Sequence, residues 1–412
     1  MIDYRFSAPL KIHDYLLVVR DSNRFASRAD ELSSLQLGLF GEIGDLFALV
    51  KKSRRDFLSS LDSASVSEEF GDALWYLFAI ADSQAISESA LAAGALKALG
   101  GFLGAPAPRR ITGHATFRQI QGYIEAHAAD DRNSIESLVR NLAGQVGALV
   151  DSSGRKNSLG SICDIFALLM LIAWRATLNF EKIVQSNIQK VHGRWPGSSK
   201  TRTPLFDAQC LPAEQLPRNI WVKFDERSVR GVNYVFISIN GVSVGDRLTD
   251  NSHIPDDYRF HDVFHIAYAA CLGWSPVLRS LLKVKRKSIS QLDENEDGAR
   301  AIIIEEGIST WIFNGAREHL FSEIDEVGFP YSMLKQISSF VKGYEVEVCQ
   351  PWEWAGAILA GFKIFREIKI HRRGYVFADL DSRTVTFKKI DDVEENFRHQ
   401  VVRRRSRKSK AK

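Results

Sequence analysis

Apolar residues recur every three to four positions through most of the first 195 residues, the period of helices with one buried stripe. The pattern predicts helices over roughly 11–23, 29–52, 65–83 and 86–99. It breaks at Gly100-Gly-Phe-Leu-Gly-Ala-Pro-Ala-Pro108 and resumes as a second helical block from Ala115 to Val191. A Pro-bearing stretch, 197–218, then reads as a linker. Beyond it the period changes. Ile220-Trp-Val-Lys-Phe and Tyr234-Val-Phe-Ile-Ser-Ile predict a hairpin turning at Arg230-Gly231. Helices follow at about 258–272, 276–285, 295–316 and 332–342, with a long one over Trp352–Ile368. A closing hairpin pairs Tyr375–Ala378 with Arg383–Phe387 around Asp379-Leu-Asp381-Ser. The expected fold is multidomain: an all-α helical bundle of two repeats, then an α+β, mostly helical C-terminal domain.

The repeat is visible in the residues. Leu142-Ala-Gly-Gln145-Val-Gly-Ala148-Leu-Val follows the frame of Leu39-Phe-Gly-Glu42-Ile-Gly-Asp45-Leu-Phe. Ser161-Ile-Cys-Asp164 likewise follows Glu69-Phe-Gly-Asp72. The hydrophobic frame persists, while Asp164 alone keeps its acid. The expected parts are therefore 1–105 with the acids, 106–196 as a degenerate repeat, 197–218 as linker, 219–395 as C-terminal domain and 396–412 as a basic tail.

The acids carry the chemistry. Glu42 and Asp45 are three apart on one predicted helix, and Glu69 and Asp72 on the next, so each pair shares a face. Crowded carboxylates on an apolar-flanked face repel and call for a cation. Hard oxygen ligands in this arrangement suit Mg2+, with Mn2+ able to substitute, and leave room for substrate phosphates. Two solvated acidic helix faces are the plainer alternative.

These motifs resemble the MazG family of all-α nucleoside triphosphate pyrophosphohydrolases, whose signature is Glu-x-x-Glu followed by Glu-x-x-Asp on two antiparallel helices. Asp45 stands where the family has Glu, one methylene shorter. The resemblance covers 11–195 and implies a (deoxy)nucleoside triphosphate substrate. It assigns Glu42, Asp45, Glu69 and Asp72 to metal, with Glu42 or Glu69 also serving the attacking water. Asn187-Ile-Gln-Lys190-Val-His-Gly-Arg194 resembles the family's closing Asn-x-x-Lys…Arg, which faces substrate. Lys190 and Arg194 equally suit the negative end of a helix dipole. The first repeat has no such tail, so one site drawn from both repeats is expected. A nucleotide sensor controlling a C-terminal effector is the alternative to an enzyme.

A second candidate lies in Arg259-Phe-His261-Asp262-Val-Phe-His265. His261 and His265, four apart, share a helical face as metal-binding imidazoles do. Asp262 would bind or orient a ring. Glu305 and Glu306 sit inside an apolar helix and need a partner. A second divalent metal with an open position would suit hydrolysis, whereas histidines simply bonded to acids would be structural. The segment also looks like the domain that follows MazG in some bacterial proteins.

Composition narrows the rest. The chain of 412 residues suits two or three domains of about 150 residues each. Net charge is +4, with the last ten residues, Arg403–Lys412, holding seven Lys or Arg, so the body is mildly acidic. That tail could touch nucleic acid weakly or merely solubilise. Cys163, Cys210, Cys271 and Cys349 are scattered, as in a reducing compartment. No signal peptide or spanning run is evident, so a cytoplasmic protein without membrane contact is expected, with a homo-oligomer among its candidate states.

Overall fold

A computed structural model describes residues 9–55, 63–106, 114–128, 134–151, 159–197, 200–239, 241–316 and 319–393. The basic tail lies outside them. The chain divides into two compact units, Met1–His192 and Gly193–Lys412.

The first unit contains α1 (Ile12–Ser22), α2 (Glu31–Arg55), α3 (Ser63–Ser83), α4 (Glu88–Leu103), α5 (Phe117–His127), α6 (Ile135–Asp151), α7 (Leu159–Arg175) and most of α8 (Phe180–Arg194). α2 lies against α3, and α6 against α7, as the repeat in the sequence requires. The two halves also interlock: α2 meets α6, and α4 meets α7. Their entry strands pair across an antiparallel bridge, Lys11 with Thr116. There Ile12 N donates to Ala115 O at 2.9 Å and Phe117 N to Leu10 O at 3.2 Å. Tyr15, Phe78, Phe117, Phe166 and Phe180, all buried, form one aromatic core drawn from both halves. Trp75 belongs to this buried set, its indole donating to Ser22 Oγ at 2.9 Å.

α4 runs past the Gly100-Gly101 pair, expected to break it, and ends at Gly104 in the left-handed region. Gly100 is there for space, since a Cβ on it would stand 3.1 Å from Tyr123 Oη. Among the described residues no single helix is long and apolar enough to cross a membrane. The most apolar, α7, is buried inside the unit from Ile165 to Ala173.

The second unit is α+β. β1 (Asn219–Val229), β2 (Val232–Ile239), β3 (Val242–Ser243), β4 (Arg373–Asp379) and β5 (Thr384–Lys388) form one antiparallel sheet in the order β3-β2-β1-β4-β5. Arg230 and Gly231 both have positive φ, which turns the first hairpin tightly. At the second, Asp379 Oδ1 accepts from the amides of Asp381 and Ser382 at 3.0 Å. Val222 opposite Val376 joins the two hairpins. Alternate residues Ile220, Val222, Phe224, Val376 and Ala378 are buried. α9 (Asp262–Leu272) and α14 (Pro351–His371) pack on the sheet, with α10 (Pro276–Leu282), α11 (Ser290–Asn295), α12 (Ala299–Ala316) and α13 (Tyr331–Phe340) around them. The single helix expected over 258–272 is split. Tyr258–Phe260 is a 3-10 turn, and His261 precedes the first α-helical residue.

Residues 200–218, expected as linker, are built into this unit. Leu216 is buried in its core, and Leu205 and Phe206 pack against it. Asp207 is 1% exposed. It accepts from Arg279 Nη2 and Leu216 N, both at 2.7 Å, while Arg218 Nη1 lies 2.9 Å away. Prolines suggested a flexible join, but one buried carboxylate ties the stretch down.

Asp207→Ala should therefore destabilise the second unit by about 3–5 kcal/mol, because it strands the buried Arg279 guanidinium. Chemical denaturation would read this loss. An unchanged midpoint would mean the stretch is a linker after all.

Candidate functional site

On α2, Leu35, Leu39, Ile43 and Leu46 are buried, and Glu42 sits half-buried beside that stripe. On α3, Val66, Phe70, Ala73, Leu74 and Leu77 do the same work, and Glu69 and Asp72 are half-buried. One carboxylate oxygen each from Glu42, Glu69 and Asp72 lies within 4.8 Å of the others. Asp45 is exposed and outside this trio. The buried stripe of Leu35, Leu39, Ile43 and Leu46 sets the axis of α2, and Asp45 falls on its solvent side.

The trio is completed by α8. Asn187 Nδ2 donates to Asp72 Oδ1 at 3.2 Å, and Tyr15 Oη donates to Asn187 Oδ1 at 2.8 Å, which fixes the amide's orientation. Lys190 Nζ donates to Asp72 Oδ2 and, at 3.0 Å, to Glu68 Oε1. α8 can come this close because residue 71 is glycine, where a Cβ would stand 3.0 Å from that of Asn187. The sequence reading missed Glu68 and Tyr15. Glu68 was findable, since it lies four residues before Asp72 on the same helical face. Nothing in the sequence pointed to Tyr15.

The electrostatics follow from this crowding. The Glu42 carboxyl is pushed up to about 8 by burial, then by the charges of Asp72 and Glu69, with Lys190 pulling the other way. Burial, then the charge of Asp72, holds the Tyr15 phenol well above its ordinary range. A divalent cation fits this donor set: the oxygens of Glu42, Glu69 and Asp72 converge, and the Lys190 ammonium is bonded to Asp72 and Glu68.

Arg194 falls past the end of the first unit. It closes α8 as part of the second unit, with its guanidinium 4.4 Å from the Trp195 ring and 5.2 Å from that of Tyr331. It donates to Phe329 O at 3.4 Å.

The equivalent place in the other half is chemically blank. Ser87 caps α4 as Asn179 caps α8, each accepting an amide three residues on. Counting from these caps, Ala95 and Ala98 hold the places of Asn187 and Lys190. α4 lies on α7 with Gly94 directly at Cys163 Sγ. Asp164 is left half-buried, its carboxyl raised by burial.

In the second unit, His261, His265 and Glu306 offer ligand atoms within 4.8 Å of one another. His265, 1% exposed, has Nδ1 2.9 Å from Glu305 Oε1 and Nε2 3.4 Å from Glu306 Oε1. His261 Nε2 is 3.1 Å from Asp262 Oδ1 and 4.0 Å from Glu306 Oε2. Glu305 is wholly buried and also accepts from Ser275 Oγ at 2.7 Å and Val277 N at 2.8 Å. It therefore orients His265 and does not belong to the converging trio. Burial pulls the His265 imidazole down, but Glu305 and Glu306 outweigh it and raise it well above the ordinary histidine range.

Residues 201–391 match a family described as MazG C-terminal domain. The second unit is thus MazG-related, and the match does not reach the first. No curated protein and no solved structure matches the chain.

The raised Glu42 carboxyl gives a pH test. The folded unit holds this proton more tightly than the unfolded chain, so the stability it lends is full below about 4.5 and is lost as pH climbs towards about 8. Glu42→Gln mimics the protonated form. Its melting temperature without added metal should exceed the parent's increasingly between about pH 5 and 8.5. A pH-independent difference would refute the assignment.

Proposed function

We propose that the first unit is a Mg2+-dependent hydrolase that cleaves a (deoxy)nucleoside triphosphate to the monophosphate and pyrophosphate. One observation carries this reading: acids of one repeat, Glu42, Glu69 and Asp72, stand against Asn187 and Lys190 of the other. The resemblance of the motifs to MazG pyrophosphohydrolases supports it, as does the MazG-related second unit.

Glu42, Glu69 and Asp72 would hold the ion, which when bound would neutralise charge on phosphate oxygens. Glu42 is suited to take the proton of the water that opens the anhydride between the α- and β-phosphates. Burial and the neighbouring carboxylates raise its carboxyl, and the bound ion would offset that rise. Glu69 is the other carboxylate placed for that role. Lys190 would turn part of its charge from Asp72 and Glu68 to substrate phosphates. Asn187, locked by Tyr15, would hold Asp72 in place.

A panel of common and modified triphosphates with Mg2+, read by pyrophosphate release, tests the reading. Several kcal/mol of charge stabilisation rest on the acids, and each ~1.4 kcal/mol is tenfold, so Glu69→Gln with Asp72→Asn should lower turnover by about a hundredfold or more. Lys190→Ala should slow turnover and raise KM, while Asp164→Asn should change little. Nucleotide binding without pyrophosphate release would make the unit a sensor. A rate unaffected by the acid substitutions would remove the site from the reaction.

A further inference from the structure

We infer that the second unit binds one divalent transition-metal ion, of the zinc type, through His261 Nε2, His265 Nε2 and the Glu306 carboxylate. This site is independent of the acids in the first unit.

The two rings are arranged alike. His261 Nδ1 is 2.9 Å from the backbone carbonyl of Tyr258, and His265 Nδ1 is 2.9 Å from Glu305. Each Nδ1 is thus turned to an acceptor, so Nε2 is the nitrogen that faces Glu306 and that would present its lone pair to an ion on giving up a proton. That is the outer-shell pattern of metal-bound histidine, in which carboxylate or carbonyl fixes the tautomer and raises ligand basicity. Both Nε2 atoms then point to the same place as Glu306. The Tyr258 ring stacks on His261 at 4.5 Å and 6°, holding its plane. Its hydroxyl is anchored on Thr310 Oγ1 at 2.7 Å.

The ion pair with Glu305 accounts for one side of the His265 ring. Glu305 is satisfied by His265, Ser275 and Val277, so pairing with the imidazole needs nothing further. Yet His265 Nε2 is buried and makes no well-aligned hydrogen bond, its nearest acceptor being Glu306 Oε1 at 3.4 Å. A buried polar atom of this kind is uncommon without a ligand for it. A second imidazole aimed at the same point would add only repulsion if both were charged. An ion removes both difficulties.

The donor set also selects the ion. Two imidazoles and a carboxylate favour Zn2+ and its first-row neighbours, whereas Mg2+ and Ca2+ take oxygen shells. The Glu306 side chain is 40% exposed, so the site has a side open to water and to exchange. Asp262 Oδ1, 3.1 Å from His261 Nε2, stands beside the trio without belonging to it. Three protein ligands and an accessible position are the arrangement of zinc sites that bind a further ligand.

The test uses the full chain, stripped with a chelator and titrated with Zn2+ in excess Mg2+ so that hard oxygen sites are filled. The parent should take up one tight equivalent and gain melting temperature with it. Glu306→Gln and His261→Gln, both at less buried positions than His265, should weaken that equivalent by at least about tenfold and abolish the thermal gain. Glu305→Gln should weaken it about 10–100-fold, as expected for the loss of an orienting partner. Glu42→Gln should leave it unchanged. Cobalt substituted for zinc should give visible absorption in the parent that Glu306→Gln alters. If the parent shows no tight Zn2+ equivalent, or if Glu306→Gln and His261→Gln keep it at full affinity, the inference is wrong.

Discussion

The first unit is organised by the repulsion of carboxylates that the fold cannot leave alone. Glu42, Glu69 and Asp72 are placed on helices whose neighbouring positions are buried and apolar, so water cannot screen them fully. Lys190 reaches in from α8 to offset part of that charge. For the ammonium to arrive, α8 must lie close on α3. That in turn requires glycine at 71 and the Tyr15–Asn187–Asp72 chain that fixes its register. Local charge, helix packing and the interlocking of the two repeats are one connected problem.

The duplication gains meaning from this. Each half lends its last helix to the other: α4 lies on α7, and α8 brings its polar face to α3. Only one of these contacts sets acids against a cation. Where Gln145, Ala148 and Ser161 stand, no cation is needed opposite them, and Ala95 and Ala98 suffice. The half without the full acid set is the support that positions Asn187 and Lys190. The missing acids of one repeat and the apolar last helix of the other go together.

Much of this was legible in the sequence because it is periodic. The acid pairs, the apolar frame of the repeat, the turn at Arg230-Gly231 and the histidine spacing all rest on helix and hairpin geometry. What escaped depends on neighbours distant along the chain. Asp45 falls on the solvent side because Leu35, Leu39, Ile43 and Leu46 set the axis of the buried stripe, which a three-residue spacing alone does not fix. Arg194 fits a phosphate-binding pattern, and its stacking on the Trp195 and Tyr331 rings rests on a neighbour far along the chain. Glu305 and Glu306 are adjacent in sequence and point to different tasks, because consecutive helical residues are about 100° apart. The stretch 200–218 has the composition of a linker, and only the burial of Asp207 shows otherwise.

The central claim is that acids of one repeat and a cation of the other form one site. A double-mutant cycle on Asp72 and Lys190 tests it most directly. Asp72→Asn, Lys190→Met and the pair would be compared for Mg2+-dependent pyrophosphate release and for unfolding free energy. Residues in direct contact should be coupled, here by at least about 1 kcal/mol in both readouts. Strictly additive effects would mean that the two groups act apart, and the composite site would not exist.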